Sequence, residues 1–107
     1  MRLSHLLVVV SLGLVACEAD PEKCEKAVRN YASLVYWKSA DDDIAKAAPE
    51  AREPLRKDKL AEFQRQLDRG MPTLVSQCQT ANNTKQIDCM IAAKTFVEAR
   101  DCADAHE

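Results

Sequence analysis

The chain has 107 residues, of which 15 are Lys or Arg and 17 are Asp or Glu, so its formal net charge at pH 7 is −2. This length accommodates one small domain and no second one. The slight negative charge gives no attraction for nucleic acid, and only two glycines exclude a glycine-rich phosphate-binding loop.

The first 16 residues have the organisation of a cleaved export signal. Arg2 supplies a positive charge, and an apolar stretch of about ten residues follows it, from residue 6 to residue 16. A helix that spans a membrane needs about 20 apolar residues, so this stretch is too short to remain as one. We therefore expect residues 1–16 to be removed.

A four-residue motif ends this segment: Leu14, Val15, Ala16 and Cys17. It resembles the lipobox of bacterial lipoprotein signal peptides. The resemblance implies that Cys17 becomes the first residue of the mature chain and carries acyl chains that anchor it in a membrane. Glu18 stands where an Asp would hold an enteric lipoprotein at the inner membrane, which implies the periplasmic face of the outer membrane.

The cysteine count agrees with this interpretation. The sequence has five cysteines, and an odd number in an exported chain leaves one without a partner. If Cys17 carries the lipid, an even set remains, which in an oxidising compartment predicts two disulfides. That set is Cys24, Cys78, Cys89 and Cys102.

The fold class follows from composition and pattern. Helix-forming residues are abundant, and strand-like alternation is missing. We expect an all-α fold, in which residues 17–21 form a lipidated tether and residues 22–107 form a single domain. That domain should be a small disulfide-stapled bundle of about four to five helices.

The first helix is predicted over residues 22–38, because its apolar residues recur at helical spacing. We expect it to end or bend near Ser39 and to restart at the three successive aspartates that begin at Asp41. These aspartates lack the spacing and the glycine of a calcium-binding loop, so we interpret them as a solvated helix start.

The next helix is predicted over residues 54–69, with Gly70 as its C-cap. A third helix should begin at Met71 and end at Asn82 and Asn83.

Two further helices are marked by capping pairs. Asn83 with Gln86 caps the fourth helix, and Thr95 with Glu98 caps a short fifth helix that carries Cys102 near its end.

The positions of the cysteines predict how they pair. Cys78 and Cys89 lie at similar distances from the turn at residues 82–84, so an antiparallel hairpin there would place them opposite each other. Exclusion then assigns Cys24 to Cys102, since four cysteines allow three pairings. A zinc site is not expected, because none of these cysteines forms a C-x-x-C pair.

Tyr36 and Trp37 are the residues that stand out as contact groups. On the predicted first helix, Tyr36 lies well outside the apolar stripe and Trp37 lies near its edge. One interpretation is that Trp37 covers the edge of the core and Tyr36 is an ordinary surface ring. The other is that both rings bind a protein partner, since Trp and Tyr are enriched at interface hot spots.

The inventory of reactive groups predicts that the protein is not an enzyme. Its two histidines are His5, in the export signal, and His106, next to the C-terminus, so no nucleophile–histidine pair can assemble in the domain. We expect no metal or cofactor. The expected function is binding of an envelope protein as an accessory module. The alternatives are a carrier of a small apolar ligand and an immunity or inhibitor lipoprotein.

Overall fold

The computed structural model describes residues 18–105. The predicted export signal, the predicted lipidation site at Cys17 and the last two residues lie outside this part. The predicted all-α fold is confirmed for the described residues, which form four helices and no strand. These helices are α1 (Pro21–Lys46), α2 (Pro49–Ala81), α3 (Thr84–Ala92) and α4 (Phe96–Ala103).

Helix α1 is longer than the sequence predicts. It begins at Pro21, where the Asp20 side chain accepts a hydrogen bond of 2.9 Å from the backbone N–H of Glu22. The predicted break near Ser39 is wrong. The helix continues because Ala40 and Ile44, which share the helix face of Tyr36 at spacings of four and eight residues, are both buried beyond the expected break.

Helix α2 combines what the sequence divides into two helices. Gly70 does not adopt the positive φ of a helical C-cap, and Pro72 lies inside the continuous helix. Pro72 removes one hydrogen bond, that to the carbonyl of Asp68. Packing compensates for this loss, because Val75 and Cys78 on the following turns lie against the buried Cys24 and its neighbours.

The helix caps predicted at Asn83 and Thr95 are confirmed. The Asn83 side chain accepts from the backbone N–H of Gln86 at 3.0 Å, and the Thr95 hydroxyl accepts from that of Glu98 at 3.1 Å. Asn82 ends α2 with a φ of 47°, a left-handed conformation that asparagine tolerates. Helix α3 therefore leaves the turn in a new direction.

Helix α1 is the central element of the fold. Helix α2 packs along it in the antiparallel direction, and α3 and α4 pack against its first half and against each other. Helix α2 makes at most a marginal contact with α3 or α4. Residues 19–35 and 70–105 are called the base here, and residues 36–69, where α1 and α2 pair alone, are called the arm.

The two disulfides both lie in the base, and their pairing corrects the prediction. Cys24 pairs with Cys78, and Cys89 pairs with Cys102, with Cα–Cα distances of 5.8 and 5.6 Å. The prediction of Cys78 with Cys89 assumed an α2–α3 hairpin. Because α3 packs on α1 and not alongside α2, Cys78 faces α1 and Cys89 faces α4.

Side-chain amides connect the helix ends of the base. The Asn30 side chain on α1 donates hydrogen bonds of 2.7 Å to the carbonyls of both Met90 and Ala93, at the end of α3. These carbonyls have no partner within the helix. None of the helices between residues 18 and 105 is both long and apolar enough to cross a membrane.

Candidate functional site

The described residues form an apolar groove in the base, with a volume of about 570 Å³. The first half of α1 forms its floor. The last three turns of α2 form one wall, and α3 with the turn before it forms the other. The lining residues are Ala27, Val28, Tyr31, Ala32, Val35, Tyr36, Leu74, Gln77, Cys78, Ala81, Asn83, Gln86, Ile87 and Met90.

Large apolar side chains are exposed at the groove. Val35 on the floor has 37% of its surface exposed, and Leu74 on the α2 wall has 41%. Among the described residues, the other exposed large apolar side chains are Leu60 at 45% and Val97 at 51%, both outside the groove. The groove thus concentrates two of these four side chains at one opening.

The polar side chains of the groove are neutral, and those of Gln86, Asn83 and Tyr36 are engaged elsewhere. The Gln86 side chain donates to the carbonyl of Ala103 at 3.0 Å and holds the end of α4. The Asn83 side chain donates to the carbonyl of Ala105 at 3.1 Å while its oxygen caps α3. Contact with an occupant would therefore rest mainly on apolar surface.

The groove is also uncharged, although 30% of the chain is charged. None of its lining residues is Asp, Glu, Lys or Arg, and the whole stretch of residues 70–84, which includes the α2 wall, lacks these residue types. An occupant that carried a charge into the groove would lose hydration without gaining a partner. The chemistry of the groove therefore favours an uncharged, apolar occupant.

Tyr36 and Trp37 lie where the groove meets the arm, and both are half-buried. The Tyr36 hydroxyl donates to the backbone carbonyl of Lys59 on α2 at 2.7 Å. The centroids of the Tyr36 and Phe63 rings are 4.9 Å apart, and those of Trp37 and Phe63 are 6.5 Å apart. The two rings therefore join α1 to α2, which their position in the sequence did not reveal. Partner binding through them stays a prediction.

The surroundings of Tyr36 change its ionisation. Burial, followed by the nearby carboxylate of Glu62, raises the pKa of the Tyr36 hydroxyl. The folded state thus favours the neutral phenol. Its contribution to stability is complete below about pH 10 and is lost as the pH rises through the higher folded pKa. The pKa of Lys59 is also raised, first by its hydrogen bond to Asp43.

The start of the described chain is held on the base. The backbone N–H of Ala19 donates to the carbonyl of Gln79 at 3.3 Å, and the Gln79 side chain donates to the carbonyl of Ala19 at 3.4 Å. Ala19 also packs against the cluster formed by Cys24, Ala27 and Ile87. Of the predicted tether, residues 19–21 are therefore part of the folded body.

The four cysteines of the base are in disulfides and supply no free thiol. Within residues 18–105, no three His, Cys, Asp or Glu side chains come together in a way that could hold a metal ion. Comparison with protein-family models, with curated proteins and with solved structures gives no match to this chain.

The groove was not predicted from the sequence. The apolar residues of the first predicted helix share one stripe, and a helical stripe does not reveal whether another helix covers it. The sequence does contain one signal of the groove. Residues 70–84 include no charged residue, although the stretch before them is rich in charged residues.

Proposed function

We propose that the mature chain is a small, non-catalytic accessory module of the bacterial cell envelope that binds a protein partner through the apolar groove. A lipid on Cys17 would hold it at the periplasmic face of the outer membrane. The observation that carries this proposal is the groove itself, which is apolar, uncharged and open at Val35 and Leu74.

The character of the groove supports a protein partner. The cores of protein interfaces are depleted of charged residues relative to the rest of the surface, and the α2 wall has this composition. Its exposed positions are occupied by Thr, Ser, Gln, Leu and Ala residues between residues 73 and 81. Exposed apolar surface that is concentrated at one place is typical of a binding site.

The position of the N-terminal segment supports a membrane anchor close to the base. Ala19 is fixed on α2, and two residues of extended chain span at most about 7 Å. A lipid on Cys17 would therefore keep the base near the membrane surface. The arm would extend away from the anchor, since α1 starts beside it and its 26 residues are about 39 Å long at 1.5 Å per residue.

A carrier of a small apolar ligand is the second candidate. The groove volume of about 570 Å³ lies within the range of roughly 300–1,000 Å³ that ligand sites occupy. A carrier would also use an uncharged lining. The two candidates predict different co-purifying species. A partner-binding module would co-purify with another protein, and a carrier would co-purify with a small apolar molecule.

The groove can be tested with charges placed at its opening. The test variant combines Val35→Lys with Leu74→Lys. We expect the amount of envelope protein that co-purifies with it to be at least about tenfold lower than with the wild-type chain, because each buried lysine adds a desolvation cost. The matched control is Leu60→Lys with Val97→Lys, which changes apolar residues of similar exposure outside the groove. Equal recovery of the partner with both variants would contradict the proposal, and loss of a bound apolar molecule alone would favour the carrier.

The anchor is tested separately. Cys17→Ser should leave the chain soluble or unprocessed and abolish its labelling by a fatty-acid analogue, because serine has no thiol to be lipidated. The measurement is membrane fractionation with metabolic labelling. Normal processing and unchanged membrane association of the variant would rule out the lipid anchor.

A further inference from the structure

We infer that the groove receives one amphipathic α-helix of the partner protein, whose apolar face completes a four-helix bundle with α1, α2 and α3. This inference rests on the proposed function, because it names the structural element by which that partner binds. Its evidence is the spacing of the lining residues, the shape of the floor, and the size and charge of the groove.

The two walls present the same helical spacing to the groove. On α2 the lining positions are 74, 77, 78 and 81, and on the α3 side they are 83, 86, 87 and 90. Both sets follow the pattern i, i+3, i+4 and i+7, which is the stripe that a helix presents to another helix in a bundle.

The floor has a shape that a helix can pack against. Val28, Ala32 and Val35 follow one another along α1 at spacings of four and three residues, and all three line the groove. The small Ala32 lies between two larger valines. Such a depression accommodates a side chain that projects from a facing helix, as knobs fit into holes in helical bundles.

The length and charge of the groove define the segment that would bind. The lining residues of α1 extend from Ala27 to Tyr36, which is about 14 Å at 1.5 Å per residue. This length corresponds to about nine helical residues, or two and a half turns. Because the lining is uncharged, about three apolar residues of the partner should face it, and charged residues should remain on the opposite side in water.

Outside its own groove, a second copy of this chain does not offer such a helix face among its described residues. Outside the groove, the exposed large apolar residues are Leu60 and Val97, and each lies on a different helix. Val97 has Lys94, Arg100 and Asp101 at helical spacings of three and four. An isolated apolar residue among charges cannot fill two and a half turns of an apolar groove.

Photo-crosslinking from two positions of the full-length chain in the envelope tests this inference. A photoreactive amino acid is placed at Leu74 in one variant and at Ala81 in another, both exposed positions of the α2 wall. These positions are seven residues apart, or about 10 Å along α2. Crosslinked residues in a partner helix should therefore also lie about seven residues apart. In an extended segment they would lie about three residues apart, since each residue then spans about 3.3 Å.

Each outcome decides the inference. A control variant carries the photoreactive residue at Val97, outside the groove. A separation of about seven residues between the crosslinks from Leu74 and Ala81, with no crosslink from Val97 to the same segment, supports a helix. A separation of about three, a crosslink to lipid or to a second copy, or no crosslink at either position overturns it. If the Val35 and Leu74 lysine variant loses the partner but the separation is three, the helix inference alone fails. If the lysine variant still co-purifies with the partner, the proposed function fails as well.

The crosslinking variants need a control for folding. Intact Cys24–Cys78 and Cys89–Cys102 disulfides, shown by peptide mapping, establish that the base has formed. Ala32→Trp, which fills the floor, should then lower the yield of crosslinked partner at least about tenfold. Ala45→Trp, at an exposed position of the same helix, should leave this yield unchanged. Equal effects of the two substitutions would overturn the assignment of the floor.

Discussion

The base and the arm share α1 and α2, yet different interactions hold them. The base has both disulfides, side-chain amides that bond to helix ends, and most of the fully buried residues. The arm has Ala40 and Ile44 as its buried residues. It also has three rings between the helices and two ion pairs across them, Arg56 with Asp41 and Lys59 with Asp43.

The base and the arm therefore depend on different interactions for their stability. Exposed ion pairs contribute little to stability, typically 0–1 kcal/mol each, so the arm depends mainly on its rings and on its connection to the base. The base can maintain an uncovered apolar groove because the Cys24–Cys78 disulfide fixes α1 to α2 and the Asn30 side chain holds the end of α3 on α1. The least stable regions of a protein open locally before the whole unfolds, and here we expect the arm to open first.

The largest expected effect comes from removing a disulfide of the base. Cys24 and Cys78 are 54 residues apart, and Cys89 and Cys102 are 13 apart. In the chain-entropy model, the longer loop contributes about 4 kcal/mol and the shorter about 3 kcal/mol. Replacing each pair by serines and measuring unfolding in urea should give losses in this order. Recovery of a Cys78–Cys89 peptide from the unreduced protein would contradict the structure.

A smaller effect, confined to the arm, is expected from Tyr36→Ala with Trp37→Ala. This change removes the packing on Phe63 and the hydroxyl bond to Lys59, so the free energy of opening the arm should fall by about 2–3 kcal/mol. Hydrogen exchange should become faster in residues 36–69 while residues 19–35 and 70–105 keep their protection. Tyr36→Phe, which keeps the ring, should lose about 1 kcal/mol.

The same double variant also tests the role of the two rings in binding. If exchange in the arm is unchanged while the partner is lost, Tyr36 and Trp37 act as contact anchors and not as the connection between α1 and α2. If exchange increases and the partner is retained, the rings have a structural role alone.

The smallest effect is expected at Gly70, where the arm meets the base. Gly70 is helical, and an added Cβ would lie 3.6 Å from a methyl carbon of Leu74, which is ordinary contact. Gly70→Ala should therefore stabilise the protein by about 0.5–1 kcal/mol, measured as a higher urea midpoint. Ala61→Gly, at an exposed position of α2, should cost a similar amount. A destabilising Gly70→Ala would indicate that α2 ends there.

Local signals in the sequence predicted local structure well. The caps at Asn83 and Thr95 form as expected, because the first turn of a helix brings a polar N-cap side chain close to the backbone N–H three residues on. The same local rules failed at Ser39 and at Gly70. There, burial of Ile44 and packing of Val75 on the other side of the break kept each helix continuous, and a local rule does not include such distant contacts.

By itself the sequence determined the helical class, the caps and the set of four paired cysteines, since these depend on composition, short spacings and an even count. The tertiary structure alone decided which cysteines pair and where the groove lies. Both depend on the direction in which α3 leaves the turn at Asn82. That direction is fixed by contacts across the whole chain, such as the bonds from Asn30 to the end of α3, about 60 residues away, and no short pattern records them.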